Sequence, residues 1–158
     1  MEQMDHLSAL ASLQSRFTTE LADADPSAPV PSCGSWTVAE LADHLGSVHI
    51  WAASTCTDQL PESDEAGLTT MAERYAARAD LLLSTLREVS PHQECTTRIG
   101  RGPARFWHRR QAHETLIHLW DLHTALALML WGRADQDSVT VTGEASVVET
   151  FLTEALTP

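Results

Sequence analysis

Residues 109 to 121 read Arg109-Arg110-Gln111-Ala112-His113-Glu114-Thr115-Leu116-Ile117-His118-Leu119-Trp120-Asp121. They sit in a stretch from about 104 to 130 whose apolar residues recur at helical spacing, which predicts one long helix. At about 100° per residue, Glu114 and His118 stand one turn apart on a single face. Arg110, Ile117, Asp121, Ala125 and Leu128 share that face, and its apolar members predict that it turns toward the interior. Four ionisable groups then point inward, and unpaired charge there costs roughly several kcal/mol per group. One solution is an internal network, with Arg110 pairing to Glu114 and His118 to Asp121. The other is a bound cation.

Outward from this helix the chain reads as a helical domain. Leu7, Leu10, Leu13, Phe17 and Leu21 recur at spacings of three and four, predicting an amphipathic helix over 5 to 23. A loop with three prolines follows, from Asp25 to Pro31. Trp36-Thr37-Val38-Ala39-Glu40 then reads as a helix start: Thr37 caps, Glu40 completes a capping box, and Trp36 stands at the staple position. That second helix is expected over 37 to 56. A third is expected over 67 to 89, with Met71, Tyr75, Arg78 and Leu82 on one stripe, ended by Ser90-Pro91. Residues 94 to 104, with Gly100, Gly102 and Pro103, read as irregular or briefly extended. Beyond the long helix, Val139 and Val141 suggest a short strand and residues 144 to 156 a short last helix. The expected architecture is all-α: one domain over residues 1–158, an antiparallel four-helix bundle with a short extra C-terminal helix.

Composition narrows the function. The formal net charge is −12, and all ten basic residues are Arg. This argues against a nucleic-acid partner, which calls for clustered basic residues. No apolar run approaches the ~20 residues of a membrane span, and the acidic start (Glu2, Asp5) is unlike a signal peptide. A cytoplasmic location without membrane contact is the expectation. Three cysteines without a CxxC pair suggest reduced thiols, and no activating partner marks any of them as a nucleophile.

The second helix tilts the choice toward a cation. His44 shares a stripe with Thr37, Leu41, Val48, Trp51 and Thr55, so it too is expected to face inward. His49, ~140° away, reads as a surface or flank residue. His44 together with Glu114 and His118 makes two imidazoles and a carboxylate, the donor set of many catalytic zinc sites. Nickel and iron also suit these donors. Asp121 is placed to orient a ligand or to act on substrate. Arg110, and Arg78 on the third helix, are candidates for binding an anionic group. His113 reads as a helix-interface histidine, and the tryptophans as core or pocket wall.

Two segments carry a resemblance. Pro31-Ser32-Cys33-Gly34-Ser35-Trp36-Thr37-Val38-Ala39-Glu40-Leu41-Ala42-Asp43-His44-Leu45 is similar to one motif of the DinB-like superfamily, and Arg109 to Asp121 resembles a second, more specific one. Within that superfamily the sequence resembles the mycothiol-dependent maleylpyruvate isomerase group. The resemblance implies a four-helix bundle, a metal bound by His44, Glu114 and His118, and a low-molecular-weight thiol such as mycothiol as co-substrate. It implies transfer of that thiol to a small electrophile, or isomerisation through a transient adduct. The isomerase carries a further C-terminal domain while this sequence stops at Pro158, so the expectation shifts from maleylpyruvate to a stand-alone thiol transferase, monomeric or homodimeric. Two rival functions remain: a non-catalytic bundle stapled by its metal for binding or stress response, and a metal-dependent hydrolase.

Overall fold

The computed structural model describes residues 5–57, 61 and 63–130, with side chains through residue 123. Its elements are α1 (His6–Asp23), a 3-10 turn (Pro31–Cys33), α2 (Val38–Thr57), α3 (Met71–Glu88), β1 (Glu94–Thr97), β2 (Gly100–Pro103) and α4 (Arg105–Leu130). The strand and the last helix expected after residue 138 lie outside the described residues.

Local chemistry sets the helix starts. Asp5 caps α1 by accepting from the Leu7 and Ser8 amides. The expected capping box opens α2: the Thr37 amide donates to Glu40, and Thr37 Oγ1 accepts from the Glu40 amide at 3.3 Å. The third helix starts four residues later than expected. Gly67 adopts a positive φ of 82°, and Thr70 with Glu73 forms a second capping box. The stretch 94–104 resolves into an antiparallel hairpin, with Cys95 opposite Gly102 and Thr97 opposite Gly100. Gly100, at φ 115°, takes a turn conformation that side-chain-bearing residues rarely adopt.

Two core layers reveal the helix directions. In one, Phe17 and Leu21 of α1 meet Leu41 and Leu45 of α2, Tyr75 of α3 and Leu119 of α4. In the other, Leu10 meets Ala52 and Cys56, Leu82 and Leu86, and Trp107. Early α2 and early α3 therefore lie at one end with late α1 and late α4. The four-helix bundle is as expected, refined in one respect: α2 and α3 run parallel to each other and antiparallel to α1 and α4. The connection from Thr57 to Met71 can make this crossover. At up to ~3.3 Å per residue it spans more than the ~30 Å length of α2. Trp107, fully buried, fixes the hairpin to α4 by donating from Nε1 to the Thr96 carbonyl at 3.0 Å.

The inward face of α2 differs from the expected stripe. It runs through Leu41, Ala42, Leu45, Gly46, His49, Ala52 and Ala53, while Trp51 is 42% exposed. Small residues set this face because α3 approaches closely: a Cβ at Gly46 would lie 2.7 Å from Arg78 Cδ. His49 is thus buried rather than on the surface or flank. Gln111 Oε1, 2.9 Å from His49 Nδ1, can only accept, so Nδ1 carries the proton. In neutral imidazole Nε2 then accepts from the Tyr75 hydroxyl at 3.3 Å. Among the described residues no helix is long and apolar enough to cross a membrane.

Burial pushes the His49 pKa down to about 4. The unfolded chain takes up a proton near the ordinary histidine value and the folded chain does not, so stability is lost as pH falls from about 6.5 to about 4. The loss from this residue should be on the order of 3 kcal/mol at most. Urea denaturation across that range should show a shallower slope for His49→Gln than for the wild type; equal slopes would mean that His49 is not the buried titrating group.

Candidate metal centre

The seam between α2 and α4 collects the polar groups. The face of α4 buried most deeply runs through Trp107, Gln111, Ala112, Thr115 and Leu119. Glu114 and His118 lie at its edge, half-buried, and Ile117 is 55% exposed. The expectation that Ile117 turns this face inward is therefore corrected: Thr115 and Leu119 take the core positions, and the ionisable row stands beside the core. His44 of α2 is half-buried on the opposite wall. Its ring centre lies 5.3 Å from that of His118, nearly perpendicular, and Trp36 packs against His44 at 4.8 Å.

His118 links the row. Its Nδ1 lies 2.9 Å from Asp121 Oδ2, and its Nε2 lies 3.4 Å from Glu114 Oε1. Arg110 ion-pairs with the other oxygen of Glu114. Both parts of the internal network anticipated from sequence are thus present. Asp121 is 6% exposed, and its second oxygen accepts from Ser32 Oγ at 2.6 Å. Ser32 reaches it from the 3-10 turn, where Pro31 stands at the first turn and Gly34, at φ 70°, ends it.

Electrostatics follow from these contacts. Burial works against a charged His118, yet hydrogen bonds to Glu114 and Asp121 outweigh it and raise its pKa. The hydrogen bond to His118 in turn holds Glu114 below the usual carboxylate range, with Arg110 adding to the effect. His44 is lowered, by burial first and then by His118. Burial and the Asp121 carboxylate raise Cys33.

The donor chemistry fits a cation. His44, Glu114 and His118 each offer one donor atom, and these lie within 4.8 Å of one another. The His118 Nδ1–H to Asp121 contact is the carboxylate–histidine arrangement that fixes a ligating ring and leaves Nε2 for a metal. Nε2 faces Glu114 at 3.4 Å, and a divalent ion placed there could also engage His44, which forms no side-chain hydrogen bond among the described residues. Among those residues a second group also converges within 4.8 Å: Cys33, His118 and Asp121.

A family model, that of the mycothiol maleylpyruvate isomerase N-terminal domain, matches residues 7–123, well over half of the chain. The chain belongs to this family. No match was found among curated proteins or among solved structures. The family match spans every residue of both donor groups.

Not every sequence candidate gathers here. Arg78 is held by Glu65, through Nε at 2.7 Å and Nη2 at 3.1 Å, and by Asp43 at 3.1 Å. Its charge is answered by acids beside α2. His113 is exposed at the edge of the α1–α4 interface, with its ring edge-on to His6 of α1. Sequence reasoning missed Ser32 and Cys33. They lie in a non-helical turn, where periodicity gives no direction, and only the Pro31…Gly34 bracket hinted at a fixed geometry.

In metal-free protein, Ser32→Ala should destabilise the fold by about 1–2 kcal/mol, because it removes a hydrogen bond to a buried carboxylate. Urea denaturation in the presence of chelator measures this; an unchanged midpoint would show that the turn is held by its backbone alone.

Proposed function

We propose that this protein is a metal-dependent enzyme that activates a low-molecular-weight thiol, of the mycothiol type, for transfer to or isomerisation of a small electrophile. The observation that carries the reading is the convergence of His44, Glu114 and His118 at a half-buried seam, with His118 oriented by Asp121. Family membership supports the thiol, since the family is named for a mycothiol-dependent isomerase domain.

In this reading His44, Glu114 and His118 hold a divalent ion, with zinc preferred for two imidazoles and a carboxylate. When bound, the ion lowers the pKa of a thiol so that it is present as thiolate near neutral pH. The chain's own groups do the rest. Asp121 accepts a hydrogen bond from His118 Nδ1–H and keeps Nε2 aimed at the ion. Trp36 packs against His44 and limits its rotation. Arg110, partly exposed at the rim, neutralises Glu114 and offers its remaining N–H groups to a carboxylate of thiol or substrate. Arg78 is the weaker candidate for that role, because Glu65 and Asp43 already engage it.

A second reading has an observation of its own. The three ligands come from two helices, so an ion would also staple α2 to α4, and a purely structural metal uses the same contacts. The two differ in whether a thiol competes for the ion.

Calorimetric titration of mycothiol into zinc-loaded protein, with metal-free protein and the His44→Ala and His118→Ala variants as controls, separates them. The expected result is binding to the zinc-loaded wild type alone, with proton release near pH 7, and loss of zinc in both variants while helical circular dichroism is kept. No thiol binding, with a large drop in melting temperature on chelation, would replace catalysis by the structural staple. Variants that retain zinc would overturn the ligand assignment itself.

A further inference from the structure

The Cys33–His118–Asp121 group calls for an explanation of its own. Cys33 Sγ lies within 4.8 Å of a His118 ring nitrogen and an Asp121 carboxylate oxygen. The thiol is not a loose surface group. Ser32, one residue before it, is tied to Asp121, and Trp36, three residues after it, packs against His44. Within this bracket the Cys33 amide donates to the Val30 carbonyl at 2.9 Å, and the Val30 amide donates to the Trp36 carbonyl at 2.8 Å. The turn therefore holds Cys33 between contacts to Asp121 and His44, which both adjoin His118.

The other two cysteines behave differently. Cys56 and Cys95 are buried in the hydrophobic core, and burial with the neighbouring Cys95 pushes Cys56 up to about 12. Neither belongs to a donor group among the described residues. Cys33 is half-buried and in reach of His118, the ring that both donor groups share. Thiolate sulfur is the donor that soft divalent ions favour over carboxylate oxygen.

We propose that Cys33 is the centre's own sulfur ligand, so that a soft divalent ion bound at His118 takes up the Cys33 thiolate. This rests on the reading that a cation binds at His118; the sulfur comes with Asp121 as its neighbour in the second donor group, distinct from the His44–Glu114 pair of the first. On binding, the S–H bond of Cys33 breaks, its proton passes to solvent and its electron pair goes to the ion; nothing is oxidised or reduced. Cys33 makes the centre selective for thiophilic ions such as zinc and cadmium over magnesium.

The test is titration of cadmium into chelator-treated full-length protein, followed by the near-ultraviolet absorption of sulfur-to-cadmium charge transfer, with bound metal measured separately after dialysis. The wild type should develop the band in step with metal uptake. Cys33→Ser, a nearly isosteric change at a half-buried turn, should lose the band entirely while still taking up metal through His44, Glu114 and His118. A band that survives in Cys33→Ser, or metal uptake by the wild type without any band, overturns this inference and leaves the three-ligand reading standing. A wild type that takes up neither cadmium nor zinc overturns both.

Discussion

The hydrogen bond between His118 Nδ1 and Asp121, 2.9 Å long, joins most of what surrounds the seam. Asp121 is almost fully buried, and a carboxylate taken out of water has to be met by donors. Ser32 supplies one and His118 the other. Each donor brings its own segment: the 3-10 turn comes down onto α4, and the His118 ring is fixed with Nε2 toward Glu114. Glu114 in turn holds Arg110. The turn then runs into Trp36 against His44 and into the Thr37–Glu40 capping box. One buried acid thus couples the entry to α2 to the polar row of α4.

The parallel pairing of α2 and α3 frees this seam. Because α3 lies against the Gly46 face of α2, the His44 side of α2 is left for α4. The Arg78 side chain occupies the space at Gly46, and its pairing with Glu65 and Asp43 answers a charge that would otherwise sit partly buried. On the next turn of α2, His49 bridges Gln111 and Tyr75 as a neutral group. The two histidines, five residues apart, have opposite circumstances: His49 has both ring nitrogens hydrogen-bonded within the core, and His44 has ring contacts only. Free lone pairs at a half-buried position are what a ligand needs, and this distinction separates the two better than depth of burial does.

Much of this was legible in the sequence where the signal was periodic or local. The four helices, the Thr37–Glu40 box and the ExxxH pair on α4 follow from spacing alone. The stripe through His44 and Trp51 points inward on a helical wheel because tryptophan dominates a hydrophobic pattern, whereas the core face is made of Ala42, Gly46, Ala52 and Ala53. Small residues mark close helix approach and carry little hydrophobic weight, so a helical wheel misses them. The same weighting put Ile117 inside and His49 outside. Both differences amount to about a third of a turn, and His44 and Glu114, at face edges, are half-buried. Beyond the Pro31…Gly34 bracket, nothing local marks Ser32 and Cys33, since a contact to Asp121 across 89 residues leaves no periodic trace.

The electrostatic logic of the row bears on how such a centre keeps its shape without a cation. Glu114 and Asp121 both lie within reach of His118, and two acids around one ring raise its pKa against the opposing effect of burial. The ring donates from Nδ1 to Asp121 and presents Nε2 to Glu114 at 3.4 Å, so a positive charge on it is favoured between the two acids. A divalent ion between Glu114, His118 and His44 would place positive charge where the two acids favour it. Cys33 fits the same scheme from the other side. Beside Asp121 and with no cation present its thiol is held neutral, so it adds no further negative charge to an already acidic protein. A metal and the thiolate arrive together, each offsetting the cost of placing the other in a half-buried seam.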